Sequence, residues 1–259
     1  MSADTARRFE GHTAIVTGAS RGIGLGIAER LVADGARVVI TARKKEALDA
    51  AVTHLIELAG GERVAIAVAG KADDTDHQAE TVRTAIETFG SIDLLVNNTG
   101  INPVYGPLVD LDLDAARKVV EVNCVAAVSW VQQVHRAWMA EHGGAIVNVS
   151  SLSSVRTAPN IGFYGASKAM LNSLTELLAV ELGPKVRVNG VAPAVVKTRF
   201  AAALYEGHEE QAAQAYPLKR LGDPDDVAGV VAFLLSPDAA WLTGQTVLID
   251  GGVSLTAGD

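Results

Sequence analysis

Thr13-Ala14-Ile15-Val16-Thr17-Gly18-Ala19-Ser20-Arg21-Gly22-Ile23-Gly24-Leu25-Gly26-Ile27-Ala28 is the stretch that decides the fold. A short β-branched run, Thr13 to Thr17, passes through a glycine-rich turn into an amphipathic helix ending near Asp34-Gly35. A second apolar run, Arg37 to Thr41, follows at once. The order strand, turn, helix, strand reads as the first βαβ unit of a dinucleotide-binding sheet. Gly18, Gly22 and Gly24 let the backbone turn tightly and approach a pyrophosphate, while the helix beginning near Ile23 offers free N–H groups and a favourable dipole. The spacing is Gly-x-x-x-Gly-x-Gly, and alone it is also compatible with a plain tight connection.

Working outward, the alternation continues: helix 45 to 59, strand 63 to 68, helix 76 to 89, strand 92 to 96, helix 114 to 140, strand 145 to 149, helix 163 to 182, strand 186 to 191, helix 224 to 235 and strand 246 to 249. Seven strands alternating with helices predict a mainly parallel, doubly wound α/β fold of the Rossmann type, with helices on both faces. No linker, repeat or low-complexity tract interrupts it, so residues 1–259 are expected to form a single domain. Residues 197–222 stand outside the alternation, and their mixed apolar and polar character predicts a mobile lid.

A formal charge of −8 gives neither nucleic acid nor an anionic membrane the basic footprint it needs. Cys124 is the only cysteine, so no internal disulfide or cysteine-rich metal site is expected, and its apolar setting predicts an inert buried thiol. No hydrophobic signal core or membrane span is visible, and a cytoplasmic location is expected.

The chemistry is expected between residues 147 and 168. Tyr164 and Lys168 are four apart, which on a helix places a phenol and an amine on one face, one turn apart. A nearby ammonium would pull the phenol's pKa down towards neutrality and make it a usable proton donor and acceptor. Ser151, at the end of the run Ala145 to Val149, would present its hydroxyl beside the phenol. A tyrosine opening an apolar helix is otherwise an ordinary core or rim residue.

Thr17-Gly18-Ala19-Ser20-Arg21-Gly22-Ile23-Gly24, Asn97-Asn98-Thr99-Gly100, Asn123, Ser151 and Tyr164-Gly165-Ala166-Ser167-Lys168 together resemble the short-chain dehydrogenase/reductase family, in particular its 3-oxoacyl reductase-like and carbonyl reductase-like members. The resemblance runs from about residue 11 to about 253. It implies Tyr164 as general acid in reduction and base in oxidation, with Lys168 lowering its pKa and holding the nicotinamide ribose. Ser151 would orient the substrate oxygen, and Asn123 would support a water-linked proton path to the lysine. It further implies that Ser20, Ile23, Asp73 at the adenine, Asn97 at the ribose and Gly100 border the cofactor. Pro193, Val196 and Thr198 would meet the nicotinamide end. Thr99 stands where the family has Ala, and Ala194 where it has Gly, which leaves the loop path after the sixth strand open. Asn102, Pro103, Val104, Tyr105, Leu152, Ile161 and Phe200 are the candidate substrate wall.

The second strand ends Ile40-Thr41-Ala42-Arg43, without the acidic residue that would hold the ribose hydroxyls of NAD. Arg43 and Arg21 are placed to grip a 2′-phosphate instead. The expected protein is therefore an NADP(H)-dependent oxidoreductase reducing a ketone or 3-oxoacyl carbonyl, free or thioester-bound, with no metal. An NAD-dependent alcohol dehydrogenase and a catalytically silent dinucleotide-binding regulator are the alternatives. Val119, Val120, Val122, Val125 and Val128 surround so much of helix 114 to 140 that a partner surface is expected to cover it. With the resemblance, this predicts a homotetramer.

Overall fold

The computed structural model describes residues 8–256. The elements run β1 (Thr13–Thr17), α1 (Gly22–Ala33), β2 (Arg37–Ala42), α2 (Lys45–Leu58), β3 (Ala65–Ala69), α3 (Thr75–Phe89), β4 (Leu94–Asn97), α4 (Leu113–Val120), α5 (Ala126–Val134), α6 (Ala140–His142), β5 (Gly144–Val149), α7 (Gly162–Leu182), β6 (Val186–Pro193), α8 (Glu209–Gln214), α9 (Pro224–Leu235) and β7 (Thr246–Ile249). The seven strands form one sheet in the order β3-β2-β1-β4-β5-β6-β7, and every pairing is parallel. Because parallel strands are covered on both faces, β1 reads as five consecutive buried residues rather than an alternation.

Successive β1 side chains enter opposite layers. Val16 packs with Ile27, Leu31, Leu48 and Val231 on the face covered by α1, α2 and α9. Ile15 packs with Leu95, Trp130, Val134 and Val188 on the other. Strand order reverses between β1 and β4, and the C-terminal ends of those two strands open the crevice where such sheets bind ligands.

The expected helix 114 to 140 is one helical path carrying two π turns, Glu121–Val125 and His135–Met139. The extra residue in each turn rotates the apolar pattern, so Val119, Val122, Ala126, Ala127, Trp130, Val131 and Val134 are all buried within the chain itself. Only Val125, 45% exposed, remains as a large apolar side chain facing out on that path. The argument that a partner must cover this helix is therefore corrected: the sheet and α7 already do. Apolar exposure lies instead on α7, at Met170, Leu177 and Val180.

Among the described residues no helix is long and apolar enough to cross a membrane. No cluster of His, Cys, Asp or Glu there is arranged to hold a metal.

The β6–α9 junction shows how a half-buried cation locks the sheet. Arg187 donates to the carbonyls of Leu234 at 2.7 Å, Leu235 at 3.2 Å and Ser236 at 3.0 Å, filling the open acceptors at the C-terminus of α9. Burial lowers its pKa, but a guanidinium remains charged. Arg187→Ala leaves several carbonyls unpaired and should cost about 2–3 kcal/mol. At roughly 2–4 °C per kcal/mol for a chain of this size, calorimetry should show Tm falling by ~4–10 °C. An unchanged Tm would mean that the junction is held by packing alone.

Candidate active site

The crevice between β1 and β4 is laced by two side chains from the strand ends. Thr17 Oγ1 accepts the N–H groups of Asn98 at 3.0 Å and Thr99 at 3.1 Å, and its hydroxyl donates to Val96 O at 3.3 Å. Asn98 Nδ2 donates back to Thr17 O at 2.9 Å and Gly18 O at 3.1 Å. Both residues lie in the quoted motifs without a role of their own, although a polar pair closing a buried apolar strand is a signal for such a tie.

Gly18 and Gly22 have φ of +66° and +59°, in the left-handed region. Gly24 is needed for space: a Cβ there would lie 2.5 Å from Asn98 Nδ2 and 2.6 Å from Gly18 O. A Cβ on Gly22 would come within 3.2 Å of Thr198 Cγ2, so the glycine turn and the loop after β6 meet at one place. The residues present thus form a cradle that a pyrophosphate fits, with Ser20, Ile23 and the start of α1 along its rim. Ala19 N donates to Thr41 O at 3.0 Å, and Arg21 and Arg43 each stand two residues beyond that joined pair. Both are exposed, and neither forms an ion pair among the described residues.

Three expectations for this end need adjustment. Asn97 is buried and turned inward: its Nδ2 donates to Asn148 Oδ1 at 3.0 Å and Ala127 O at 3.2 Å. Its Oδ1 is buried without a partner among the described residues. Asp73 already has a partner, an ion pair with Lys118 of α4. Burial, the largest single influence, works to raise its pKa, but the Lys118 bond, a backbone hydrogen bond and the charges of Lys118 and Lys71 together hold the carboxyl below its ordinary value. Ala194 needs no glycine-like backbone, because β6 runs on to Pro193 and Ala194 N donates to Ile249 O at 3.0 Å. Its φ is not positive.

At the reacting end, α7 begins at Gly162, so Tyr164 and Lys168 share one face. Gly165 fits α7 closely against the turn after β5, since a Cβ there would meet Ser153 O at 2.5 Å. Lys168 is 2% exposed; its Nζ donates to Val149 O at 2.8 Å and lies 5.9 Å from the centre of the Tyr164 ring. Asn123 lies in the first π turn, a distortion common at functional sites. Its Oδ1 accepts from Ile101 N at 2.8 Å and its Nδ2 donates to Ile101 O at 3.0 Å and Ser167 Oγ at 3.0 Å. It thereby clamps the chain just after Gly100, where a Cβ would stand 3.2 Å from Lys168 Nζ. Pro193, Val196 and Thr198 close the far side through the strand end and the Gly22 contact.

Ser151 Oγ accepts from Ser153 N at 3.2 Å and from Ser153 Oγ at 2.9 Å. Ser153 is a further residue the sequence reading passed over; it fixes the direction of the Ser151 hydroxyl.

The electrostatics correct a central expectation. Burial pushes the Tyr164 phenol up to about 12, and the hydrogen bond from Ser151 only partly opposes this. Burial likewise pushes Lys168 down to about 8. Desolvation, which disfavours both charged forms, is the dominant cause in each case, and the Ser151 hydrogen bond opposes it at the phenol. The resting site therefore carries its proton on the phenol. Cys124, buried with its Sγ donating to Ser167 O at 3.1 Å, is pushed up by burial and is an unreactive neighbour.

A cleft of about 330 Å³ opens beside Tyr164, lined by Pro103, Val104, Tyr105 and Ile161 of the expected wall. Phe200 reaches the phenol from the 197–222 segment, ring centres 6.1 Å apart. Leu152 instead packs into a satellite cluster with Tyr216, Leu221 and Val253. The 197–222 segment is tied at its base. Lys197 N donates to Gly222 O at 2.8 Å, Lys197 pairs with Asp223 at 3.1 Å, and Arg220 pairs with Asp226 at 2.6 Å. Arg220 holds the Asp226 carboxyl down to about 2.

Comparison with known proteins follows this geometry closely. A family model described as enoyl-(acyl carrier protein) reductase matches residues 18–254. Dehydrogenase/reductase SDR family member 4 of Caenorhabditis elegans is 42% identical over 253 residues, covering 95% of this chain and 96% of that protein. The Sus scrofa protein of the same name is 38% identical, with coverages of 95% and 88%. A short-chain type dehydrogenase/reductase from Mycobacterium ulcerans superposes with a TM-score of 0.91 at 33% identity, covering 96% and 92% of the two chains. A blue fluorescent protein from a metagenomic library, in complex with NADPH, superposes at 0.86 with 33% identity, covering 95% and 99%.

The lowered pKa of Lys168 carries a stability cost. Its folded value, about 8, lies below the 10.5 of an exposed lysine, so the unfolded chain binds the extra proton between those values. The cost is full below pH 8 and is relieved as pH rises to 10.5; the raised Tyr164 then removes stability above pH 10. Lys168→Met should therefore raise Tm at pH 7, by an amount corresponding to roughly 1–3 kcal/mol after loss of the bond to Val149 O. It should also flatten the rise of Tm between pH 8 and 10. A lower Tm at pH 7 would show that the ammonium is net stabilising.

Proposed function

The chain belongs to the short-chain dehydrogenase/reductase family, and from that premise we propose that it reduces a ketone or 3-oxoacyl carbonyl to a secondary alcohol with NADPH, reversibly. It is an oxidoreductase of a family that binds a nicotinamide dinucleotide. The carrying observation is geometric: the Tyr164 phenol with the Ser151 hydroxyl beside it and the buried Lys168 amine one turn on along α7, 5.9 Å from the ring centre, at the end of the glycine cradle.

In this reading Gly18, Gly22 and Gly24 admit the pyrophosphate, Arg21 and Arg43 hold the 2′-phosphate, and Lys168 with Thr198 meets the nicotinamide end. The bound dinucleotide supplies the hydride. Tyr164 gives its proton to the carbonyl oxygen as charge develops there, and Ser151, oriented by Ser153, donates a hydrogen bond to the same oxygen. The ammonium of Lys168 stabilises the phenolate left behind, and Asn123 keeps the Gly100–Ile101 chain against the lysine. The presence of Asn123, Ser151, Tyr164 and Lys168 together weighs against a silent regulator.

A freely diffusing substrate suits the surface better than an acidic carrier protein. Of the lid cations, Lys197 is committed to Asp223 and Glu209 and Arg220 to Asp226, which leaves Arg199 and Lys219 without carboxylate partners. That is a small basic footprint for docking an acidic protein.

A preference for NADPH on the order of a hundredfold in kcat/KM is expected from two or three charge-assisted bonds to the 2′-phosphate. Ala42→Asp with Arg43→Leu should move it towards NADH, and equal efficiency of the parent with both cofactors would contradict the assignment. Tyr164→Phe should abolish turnover while calorimetry finds NADPH binding nearly unchanged; activity within tenfold of the parent would place the proton donor elsewhere. The apolar stripe Met170, Leu177 and Val180 on α7, with Leu248 and the 99% exposed Trp241 near β7, is assigned to subunit contacts in a homotetramer. Light scattering should give four chains' mass at micromolar concentration, and a stable monomer would refute this.

A further inference from the structure

The cleft beside Tyr164 has a chemical character of its own. Its wall comes from two loops, 103–112 after β4 and 155–161 after β5, and from the first turn of α7. The loops are joined by Gly106 N donating to Asn160 O at 2.9 Å and Asn160 Nδ2 donating to Tyr105 Oη at 3.4 Å. Asn160 holds a left-handed φ of 66° to make that joint, a conformation asparagine tolerates better than most residues. Tyr105, Leu108, Leu111, Ile161 and Phe163 supply large apolar surface to the wall. Tyr105 and Leu108 are 74% and 60% exposed, and with the neighbouring Val109 they form an open apolar rim to the cleft.

The only carboxylates on this wall are Asp110 and Asp112, its other ionisable groups are the phenols of Tyr105 and Tyr164, and no lysine, arginine or histidine lines it. Asp112 caps α4 by accepting from Asp114 N at 2.9 Å and Ala115 N at 3.3 Å, which fixes its carboxylate. The nearby cations are occupied or distant: Arg156 donates to Val253 O at 2.6 Å, and Lys197 and Arg220 are in ion pairs. Arg117 of α4 is paired with Asp114, and among the described residues Arg199, beside Phe200 in sequence, and Lys219 are the lid cations without a carboxylate partner that could oppose the two acids. A substrate whose far end carries a carboxylate would thus meet low-polarity surface and two like charges.

We propose that this cleft takes the non-reacting part of a compact, apolar ketone that is neutral or positively charged, and that it discriminates against ketones bearing a carboxylate. The proposal rests on the carbonyl-reducing reading above and adds the substrate's charge and polarity. At about 330 Å³ the cleft is near the lower end of the roughly 300–1,000 Å³ of small-molecule sites, which fits a single ring or short branched chain.

The test uses para-substituted acetophenones with NADPH, differing only in a methyl, a carboxylate or a trimethylammonium group. The expected result is a kcat/KM for the carboxylate lower than for the methyl compound by about tenfold or more at low salt, chiefly through KM, with the ammonium equal to or better than methyl. Asp110→Asn with Asp112→Asn, which keeps the helix cap, should narrow the carboxylate gap to within about threefold. Equal efficiency for carboxylate and methyl, a gap that survives the double variant, or a carboxylate preference that disappears in Arg199→Ala would each overturn the proposal. Calorimetric binding of the three compounds to Tyr164→Phe with NADP bound reads the same order without turnover. Intact binding in the expected order without reduction by the parent would therefore overturn the reductase reading and leave the cleft's selectivity standing; absence of that order would overturn the selectivity.

Discussion

The constraint on which the active site depends is the burial of one amine. Lys168 is almost wholly enclosed, with a single carbonyl acceptor from β5, the unsubstituted Cα of Gly100 against it and the Tyr164 ring above it. A charged group in such a place is tolerated only if the surrounding backbone is fixed, because any looser packing would admit water and any tighter packing would expel the charge. The neighbouring features follow from this. Asn123 clamps Ile101 so that Gly100 can approach, and the π turn sets Asn123 at the right angle for it. Gly165 brings α7 close to the serine turn, and Asn148 with Thr175 ties α7 to β5 through a bond of 2.8 Å. These contacts run through the sheet centre, so the catalytic geometry is a property of the fold rather than of a loop.

The same burial sets the protonation state. Both the phenol and the amine are pushed towards their neutral forms by desolvation. The sequence argument weighed only the attraction between ammonium and phenolate, which depends on spacing and is visible in a Tyr-x-x-x-Lys pair. Desolvation depends on what encloses the pair, and nothing in the local sequence reports that. In the proposed reduction, the protonated phenol is the group that would supply the proton, and the lysine's charge would stabilise the phenolate that remains.

Much of the architecture was legible because local and global signals agree. The β-branched run Thr13 to Thr17, the glycine turn and the second run at Arg37 place β1, α1 and β2 within a residue or two, and all seven strands and their parallel sense follow from alternation. The failures share one physical origin, the direction of a side chain in three dimensions. Asn97, expected to border the ribose, has its amide nitrogen tied to Asn148, a buried contact that strand period alone does not reveal at the last residue. Helix 114 to 140 looked apolar all round because two π turns shift its register, which a period of 3.6 cannot anticipate. Ala194 looked like a misfit in a glycine position, yet the strand simply extends past it. Thr17, Asn98 and Ser153 had no role of their own in the sequence since hydroxyl and amide side chains near turns are common and only their bonds distinguish them.

The account's central claim is that Tyr164 donates the proton and that its protonation is governed by burial together with Lys168. The most direct measurement is kcat/KM for ketone reduction with NADPH from pH 5 to 11. The account predicts a profile flat through neutral pH with no acidic limb, falling only in the alkaline range where the Tyr164–Lys168 pair begins to lose protons, above about 8. A profile governed by a group titrating between pH 4 and 7, with the alkaline range flat, would assign the proton transfer to a carboxylate or histidine and contradict it.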